Sequence, residues 1–261
     1  MTKIFTASVF IFTLTGCTHN YYIQTTQNVP LFREKNEYRA AVSLGGGSEI
    51  NTVDIQAAYS ITNQFAVMTN FMLASGGDRP YSSWGEGKYF EGAFGYFKPL
   101  EEHGVLEIYG GFGSGNQHHY YQGSSSSSND GTTSYREGMA DLSFTRMFLQ
   151  PSYGVTFSGF DLALTTGFSY ISFNRINNRI DTLDSEYFAV DDISKNRNSF
   201  LFEPSFTIRG GWKYVKLQLQ LGSSKNLSHQ NLKFETSKFS VGLTFAFAQR
   251  FRKSIATPTG R

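Results

Sequence analysis

The chain has 261 residues, and its 23 lysines and arginines nearly balance its 21 aspartates and glutamates. This balance, with no basic patch or tail, argues against nucleic acid as a partner. The single cysteine excludes an intrachain disulfide, and no apolar run after residue 16 approaches the roughly 18 residues of a transmembrane helix. A transmembrane β-barrel stays open, because its strands alternate and average out to mild hydropathy.

The first residues predict a secretory signal peptide. Lys3 gives a positive start, and the apolar run over residues 4–14 is too short to cross a bilayer. The run ends in Leu14-Thr15-Gly16-Cys17, which resembles the lipobox of bacterial lipoproteins. The resemblance implies that residues 1–16 are removed and that Cys17 carries acyl chains such as palmitate as the first residue of the mature protein.

Residues 17–35 are polar and irregular, and Asn28-Val29-Pro30 interrupts any regular element. We expect this stretch to be a lipidated periplasmic tether between Cys17 and the domain that follows.

From residue 36 to residue 250, apolar and polar residues alternate with a period of two, the signature of β-strands. The clearest strand places Phe239, Val241 and Leu243 on one face and Ser240 and Thr244 on the other. We predict about ten strands, each close to the ~9–11 residues of a tilted membrane strand. The predicted strands cover residues 37–45, 51–60, 64–74, 87–98, 104–114, 140–158, 161–170, 200–209, 214–221 and 239–248.

The connections between these strands support a barrel. Apart from the first hairpin, short turns alternate with long connections at 76–86, 115–139, 174–197 and 222–236. An outer-membrane barrel shows this alternation because one rim carries loops and the other only turns. An even strand count would place both termini at the turn side, in the periplasm.

Ionisable residues of the predicted strands fall on the face opposite the large apolar side chains. A charge in contact with lipid near mid-membrane costs about 2–4 kcal/mol for Lys or Arg, so these residues should face the lumen. We predict a charge network of Arg39, Asp54, Glu91, Glu107, Arg146, Glu203, Arg209 and Lys216. Arg39, Glu107, Arg209 and Lys216 should lie toward the turn end, and the other four higher in the lumen. The favoured interpretation is a network that plugs a small barrel, ahead of a narrow ion path and of carboxylate catalysis.

Other polar clusters predict little chemistry. His118 and His119 are adjacent in a strand stem and should point apart, which makes a poor metal site. Asp191-Asp192 with Asp181 or Asp184 could hold a divalent cation, but a solvated mixed-charge loop is the favoured interpretation. The usual short motifs of hydrolases and phosphate binders do not occur. We expect no enzymatic activity, no metal and no cofactor.

The strand pattern, the loop alternation and the inward charges resemble the small outer-membrane β-barrels of the OmpA type over residues 36–250, with a polar tail at 251–261. The predicted fold is all-β: a closed antiparallel transmembrane β-barrel of about ten strands behind a lipoprotein signal peptide. The expected protein is an outer-membrane lipoprotein with a structural or surface-interaction role through its long loops. Its partners would be membrane lipid and possible contacts with lipopolysaccharide or another extracellular ligand, and the sequence indicates no oligomeric state. The alternatives are a small ion or solute pore and, after that, an enzyme with its active site at the rim.

Overall fold

The structure is a computed structural model that describes residues 20–77, 83–126 and 133–253. The predicted signal peptide and Cys17 lie outside these residues. The strands are β1 Tyr38–Gly46, β2 Ile50–Ser60, β3 Phe65–Gly77, β4 Trp84–Leu100, β5 Gly104–Ser126, β6 Thr133–Thr156, β7 Phe160–Arg179, β8 Asn198–Gly211, β9 Val215–Ser223, β10 Lys225–Asn226 and β11 Ser237–Phe247. The helices are α1 Ser185–Lys195 and α2 Gln249–Lys253.

The strands form one closed antiparallel sheet. Each strand from β1 to β8 pairs with the next along the chain, β9 pairs with β11, and β11 pairs with β1. The two-residue β10 continues the register of β9 against β8, so β9 and β10 act as one interrupted strand and ten strands close the barrel. The predicted fold class is confirmed. Closure removes the open edges whose backbone groups would have no partner in lipid.

The two faces of the sheet have the polarity of a membrane barrel. In β11, Phe239 and Leu243 point outward and are about half exposed, whereas Ser240 and Thr244 point inward and are buried. The other strands repeat this arrangement, with large apolar side chains outside and polar ones inside. A soluble barrel would place its apolar side chains in the interior, so this polarity identifies lipid as the solvent of the outer surface.

The barrel wall has unequal height. β5 and β6 contain 23 and 24 residues, while β1 and β2 contain only 9 and 11. The extra length of β5 and β6 lies at the end with the long connections, which we call the loop end. The opposite end, with turns such as 61–64 and 101–103, is the turn end.

Two of the predicted long loops are mostly regular structure. The predicted connection 115–139 is wrong, because β5 continues to Ser126 and β6 begins at Thr133. Its Gly, Ser and His residues obscure the alternation, but backbone pairing with the neighbouring strand extends both strands. The predicted loop 174–197 contains α1, whose first turn is capped by the Asp184 carboxylate accepting a hydrogen bond from the Glu186 amide.

The largest departure from the sequence prediction concerns residues 20–32, which we call the lumen segment. The predicted tether over 17–35 is wrong for this part, because residues 21–32 are all buried inside the barrel. The sequence shows no periodicity here because the segment is not part of the sheet and meets lumen side chains on all sides. The predicted tail is partly helical, since α2 extends to Lys253.

Candidate functional site

The lumen segment crosses the barrel from one end to the other. At the loop end, the Tyr21 amide donates to the Lys233 carbonyl and the Glu235 amide donates to the Tyr22 carbonyl. At the turn end, the Phe32 amide donates to Glu107 Oε1 at 3.1 Å, and Arg33 donates to the Glu101 carbonyl at 2.9 Å. The described chain therefore starts at the loop end, with Asn20; the amino terminus itself, which the sequence analysis expects at the turn end, lies outside the described residues.

Inward side chains of the barrel satisfy the backbone of the lumen segment. The Thr26 amide donates to Asp54 Oδ1 at 2.9 Å, and the Gln27 amide donates to Gln220 Oε1 at 2.6 Å. Gln220 Nε2 returns a hydrogen bond to the Gln27 carbonyl at 2.9 Å, and Gln150 donates to the Asn28 carbonyl at 2.7 Å. A buried backbone without such partners would lose free energy for each unpaired group. The polar lumen is thus complementary to this segment.

One arginine links two carboxylates in the middle of the lumen. Arg146 donates to Glu91 Oε2 at 2.6 Å and to Glu203 Oε2 at 2.5 Å, and all three side chains are buried. The lumen segment joins this cluster, because the Tyr22 hydroxyl donates to Glu203 Oε1 at 2.7 Å. Tyr89 donates to the other carboxylate, Glu91, at 2.6 Å.

A second buried ion pair lies beside the first. Lys238 Nζ is 2.8 Å from Asp54 Oδ2 and also donates to the Gln24 carbonyl of the lumen segment at 3.1 Å. Sequence reasoning missed Lys238, which stands just before the residues used to identify the last strand. Its even number, shared with the inward-facing Ser240, is the signal that could have placed it in the lumen.

A third group of charges fills the turn end. Lys216 Nζ is 2.6 Å from Asp161 Oδ1, and Arg39 is 4.0 Å from the other carboxylate oxygen of Asp161. Arg209 donates to Gln218 at 2.7 Å. The structure places the predicted network residues in the two groups that the sequence suggested: Arg39, Glu107, Arg209 and Lys216 at this end, and Asp54, Glu91, Arg146 and Glu203 above them.

Glu37 completes the turn-end group and was not predicted, because it precedes β1. Its carboxylate accepts hydrogen bonds from Arg39 Nη2 at 2.8 Å and Arg250 Nη1 at 2.6 Å. Burial by itself raises the pKa of Glu37, but the two guanidinium groups outweigh it and hold the pKa below the ordinary value. Arg250 thereby ties the chain after β11 to the chain before β1.

The loop end contains a cavity of about 750 Å³. Small inward residues on two paired strands leave this space, since Ala74 lies opposite Gly87 and Gly76 opposite Gly85. Its lining includes Ile23, Met72 and Phe144, with Glu49, Gln117 and His119 among its polar groups. Cavities of this volume accept small-molecule ligands.

The two adjacent histidines point to opposite faces of β5. His119 is buried against the cavity, with Nε2 3.0 Å from Gln117 Oε1. His118 lies on the outer face, where Nδ1 is 2.5 Å from Asp141 Oδ1, and Arg179 donates to the same carboxylate at 2.9 Å. The sequence motifs could not show this histidine–carboxylate pair, because strand pairing brings together residues that are far apart in the chain.

The acidic residues around α1 have other partners. Asp191 forms an ion pair with Lys195 at 2.6 Å, and Asp184 serves as the helix cap. Among the described residues, no group of three His, Cys, Asp or Glu side chains is arranged to hold a metal ion. The mixed-charge interpretation of this connection therefore fits the geometry better than a cation site.

In the described part of the chain, neither helix is long and apolar enough to cross a membrane. No family model matches the sequence, and no curated protein sequence matches it.

Several solved structures are similar to this chain. The translocator domain of the autotransporter NalP from Neisseria meningitidis is 9% identical over 82% of this chain and 88% of that chain, with a TM-score of 0.48. The outer membrane protease OmpT from Escherichia coli is 11% identical over 86% of this chain and 100% of its own, with a TM-score of 0.43. Ail, the attachment invasion locus protein of Yersinia pestis, is 12% identical over 82% and 99%, with a TM-score of 0.34. Similarity at this level assigns no activity to the chain.

Proposed function

We propose that this protein is a non-conducting outer-membrane barrel that acts at the cell surface through its loop end. In this proposal a lipid on Cys17 anchors the protein in the membrane in addition to the barrel. The observation that carries the proposal is the lumen segment, which runs through the barrel from the loop end to the turn end and is hydrogen-bonded along its length. The role is one of interaction with lipopolysaccharide or another extracellular ligand.

The outer surface supports a membrane location. Outward aromatic side chains surround the turn end, including the neighbouring pairs Tyr38 and Tyr59, Phe65 and Tyr96, and Tyr214 and Phe247. Aromatic girdles of this kind flank the apolar band of outer-membrane barrels. The bacterial outer membrane is the setting in which single-chain barrels of this size occur.

The filled lumen argues against the pore alternative. An ion crossing the barrel would have to displace Tyr22 from Glu203 and Gln27 from Gln220, and would leave buried donors and acceptors unpaired. The charges that a pore would use for selectivity, such as Glu203 and Arg146, already neutralise each other at 2.5 Å.

Conductance in planar bilayers tests the proposal. Purified protein whose folded state is verified by its unheated gel migration should show no stable conductance steps. A pore would give reproducible steps whose cation selectivity changes in Glu203→Gln. Such steps in the unmodified protein would overturn the proposal.

The loop end supports the interaction role. It carries the cavity, the tall β5–β6 wall and α1, next to which Leu183 is 73% exposed and on which Phe188 is 58% exposed. Both side chains lie outside the strands that contact lipid, so they offer apolar surface that a ligand can contact. The ligand test is binding of purified lipopolysaccharide, which should weaken when Leu183→Ser and Phe188→Ser are combined, with Trp212→Ser at the turn end as the matched control.

One observation bears on the enzyme alternative. His118 and Asp141 lie within hydrogen-bond distance near the loop rim, as a catalytic dyad requires. Arg179 shares the Asp141 carboxylate, however, and the pair lies on the outer face rather than in the cavity. An activity on peptide or lipid that disappears in His118→Ala would favour the enzyme over the binding role.

Acylation of Cys17 is tested by mass spectrometry of the mature N-terminal peptide. The expected peptide begins at residue 17 and carries the mass of acyl chains, and Cys17→Ser should abolish both features. An unmodified N-terminus would remove the lipid from the proposal and leave the plugged barrel intact.

A further inference from the structure

The direction of the lumen segment determines where the preceding chain must leave the barrel. Asn20 lies at the loop end, where its side chain donates to Glu235 Oε2 at 3.1 Å. Arg33 lies at the turn end, where it contacts the carbonyls of Glu101 and Gly104. The chain thus enters the lumen at the loop end and leaves it at the turn end before β1 begins.

This path limits the reach of Cys17. Cys17 precedes Asn20 by three positions, and three extended residues span at most about 11 Å. The apolar band of an outer-membrane barrel is about 25 Å tall, so Cys17 cannot reach the leaflet at the turn end while the lumen segment stays in place.

The barrel wall is lowest where Asn20 lies. The same Glu235 carboxylate oxygen that binds Asn20 accepts hydrogen bonds from the Ser48 amide at 3.0 Å and the Ser48 hydroxyl at 2.9 Å. Ser48 belongs to the short connection between β1 and β2, the two strands of 9 and 11 residues. Asn20 is thereby held beside the low part of the wall, and the next residue, Tyr21, reaches across the cavity to Tyr121 of β5.

We propose that the chain preceding Asn20 leaves the barrel at the loop end over the β1–β2 connection, so that an acyl group on Cys17 enters the outer, surface-facing leaflet. The lipid in this proposal rests on the proposed function, which the proposal deepens. The exit direction rests only on the contacts of the described residues. It replaces the periplasmic anchor expected from the sequence. The two ends of the lumen segment then lie on opposite sides of the membrane. The end next to the acyl group lies at the cell surface, and the other end lies on the periplasmic side.

The test places one thiol before the lumen segment and compares it with thiols at each end of the barrel. His19→Cys is the test variant, Leu183→Cys reports the loop end, and Ile61→Cys reports the turn end, where its side chain is 42% exposed. Intact cells are treated with a membrane-impermeant maleimide, and the labelled peptide is identified by mass spectrometry. This separates the introduced thiol from that of Cys17.

His19→Cys should be labelled on intact cells to the same extent as Leu183→Cys, while Ile61→Cys should be labelled only after the outer membrane is permeabilised. Labelling of His19→Cys that requires permeabilisation, as at Ile61, would overturn the proposal. If His19→Cys is labelled on intact cells but Cys17 carries no acyl group, the exit direction stands and the lipid anchor fails. Unheated gel migration confirms that each variant is folded.

Discussion

Replacement of Arg146 by methionine tests whether the lumen is a dry, paired interior. The substitution keeps an unbranched side chain but removes the cation that lies 2.6 Å from Glu91 and 2.5 Å from Glu203. Both carboxylates are buried and would be left facing each other without a positive charge between them. Their remaining donors are neutral, with Tyr89 and Asn70 at Glu91 and Tyr22 and Ser169 at Glu203.

The expected loss follows from these contacts. Removing one partner of a buried ion pair costs about 3–5 kcal/mol, because the other charge stays buried and uncompensated. Arg146 serves two carboxylates, but contacts that share one side chain are not additive, and the remaining hydrogen bonds offset part of the loss. We therefore expect Arg146→Met to lower the free energy of unfolding by about 3–5 kcal/mol. The combined variant with Glu91→Gln and Glu203→Gln should recover most of it, since no buried charge is then unpaired.

The assay is urea unfolding in lipid vesicles, followed by gel migration and circular dichroism. Arg146→Lys is the charge-preserving control. Its free energy of unfolding should lie between those of the unmodified protein and Arg146→Met, because one ammonium group lacks the planar fork that reaches both carboxylates. A loss below about 1 kcal/mol for Arg146→Met, the range of solvent-exposed pairs, would show that water reaches the cluster and would refute the dry lumen.

Two further predictions concern packing and pH. Gly95→Ala should destabilise the barrel by about 1–3 kcal/mol, because a Cβ there would lie 2.3 Å from the Tyr109 ring; Gly87→Ala, whose Cβ would have its nearest neighbours at 3.4 Å, should be close to neutral in the same urea assay. The lowered pKa of Glu37 means that its ion pairs with Arg39 and Arg250 stabilise the fold above its ordinary pKa of 4.5 and lose this contribution as the pH falls through the lower folded-state value. The unfolding temperature of the unmodified protein should therefore fall more steeply below pH 4.5 than that of Glu37→Gln, and parallel curves would contradict the role of this carboxylate.

The alternation of side chains was sufficient to predict the sheet and its two faces. In a strand, successive side chains point to opposite sides, so the parity of Phe239 and Leu243 places Ser240 and Thr244 on the other face without any tertiary information. The same rule places Arg146 and Glu203 in the lumen. The large apolar residues of their strands occupy the face that contacts lipid, so the charged residues between them point to the other side. Fold class and the strand-borne members of the charge network were therefore accessible from local pattern, whereas Glu37, which precedes β1, was not.

The contents of the lumen were decided only by the tertiary structure. Residues 20–32 follow no period, because their backbone pairs with side chains such as Asp54, Gln150 and Gln220 rather than with a neighbouring strand. Nothing in the local sequence separates such a segment from a solvated tether, since both are polar and irregular. Its burial depends on the whole barrel closing around it, and that closure also places Asn20 at the loop end.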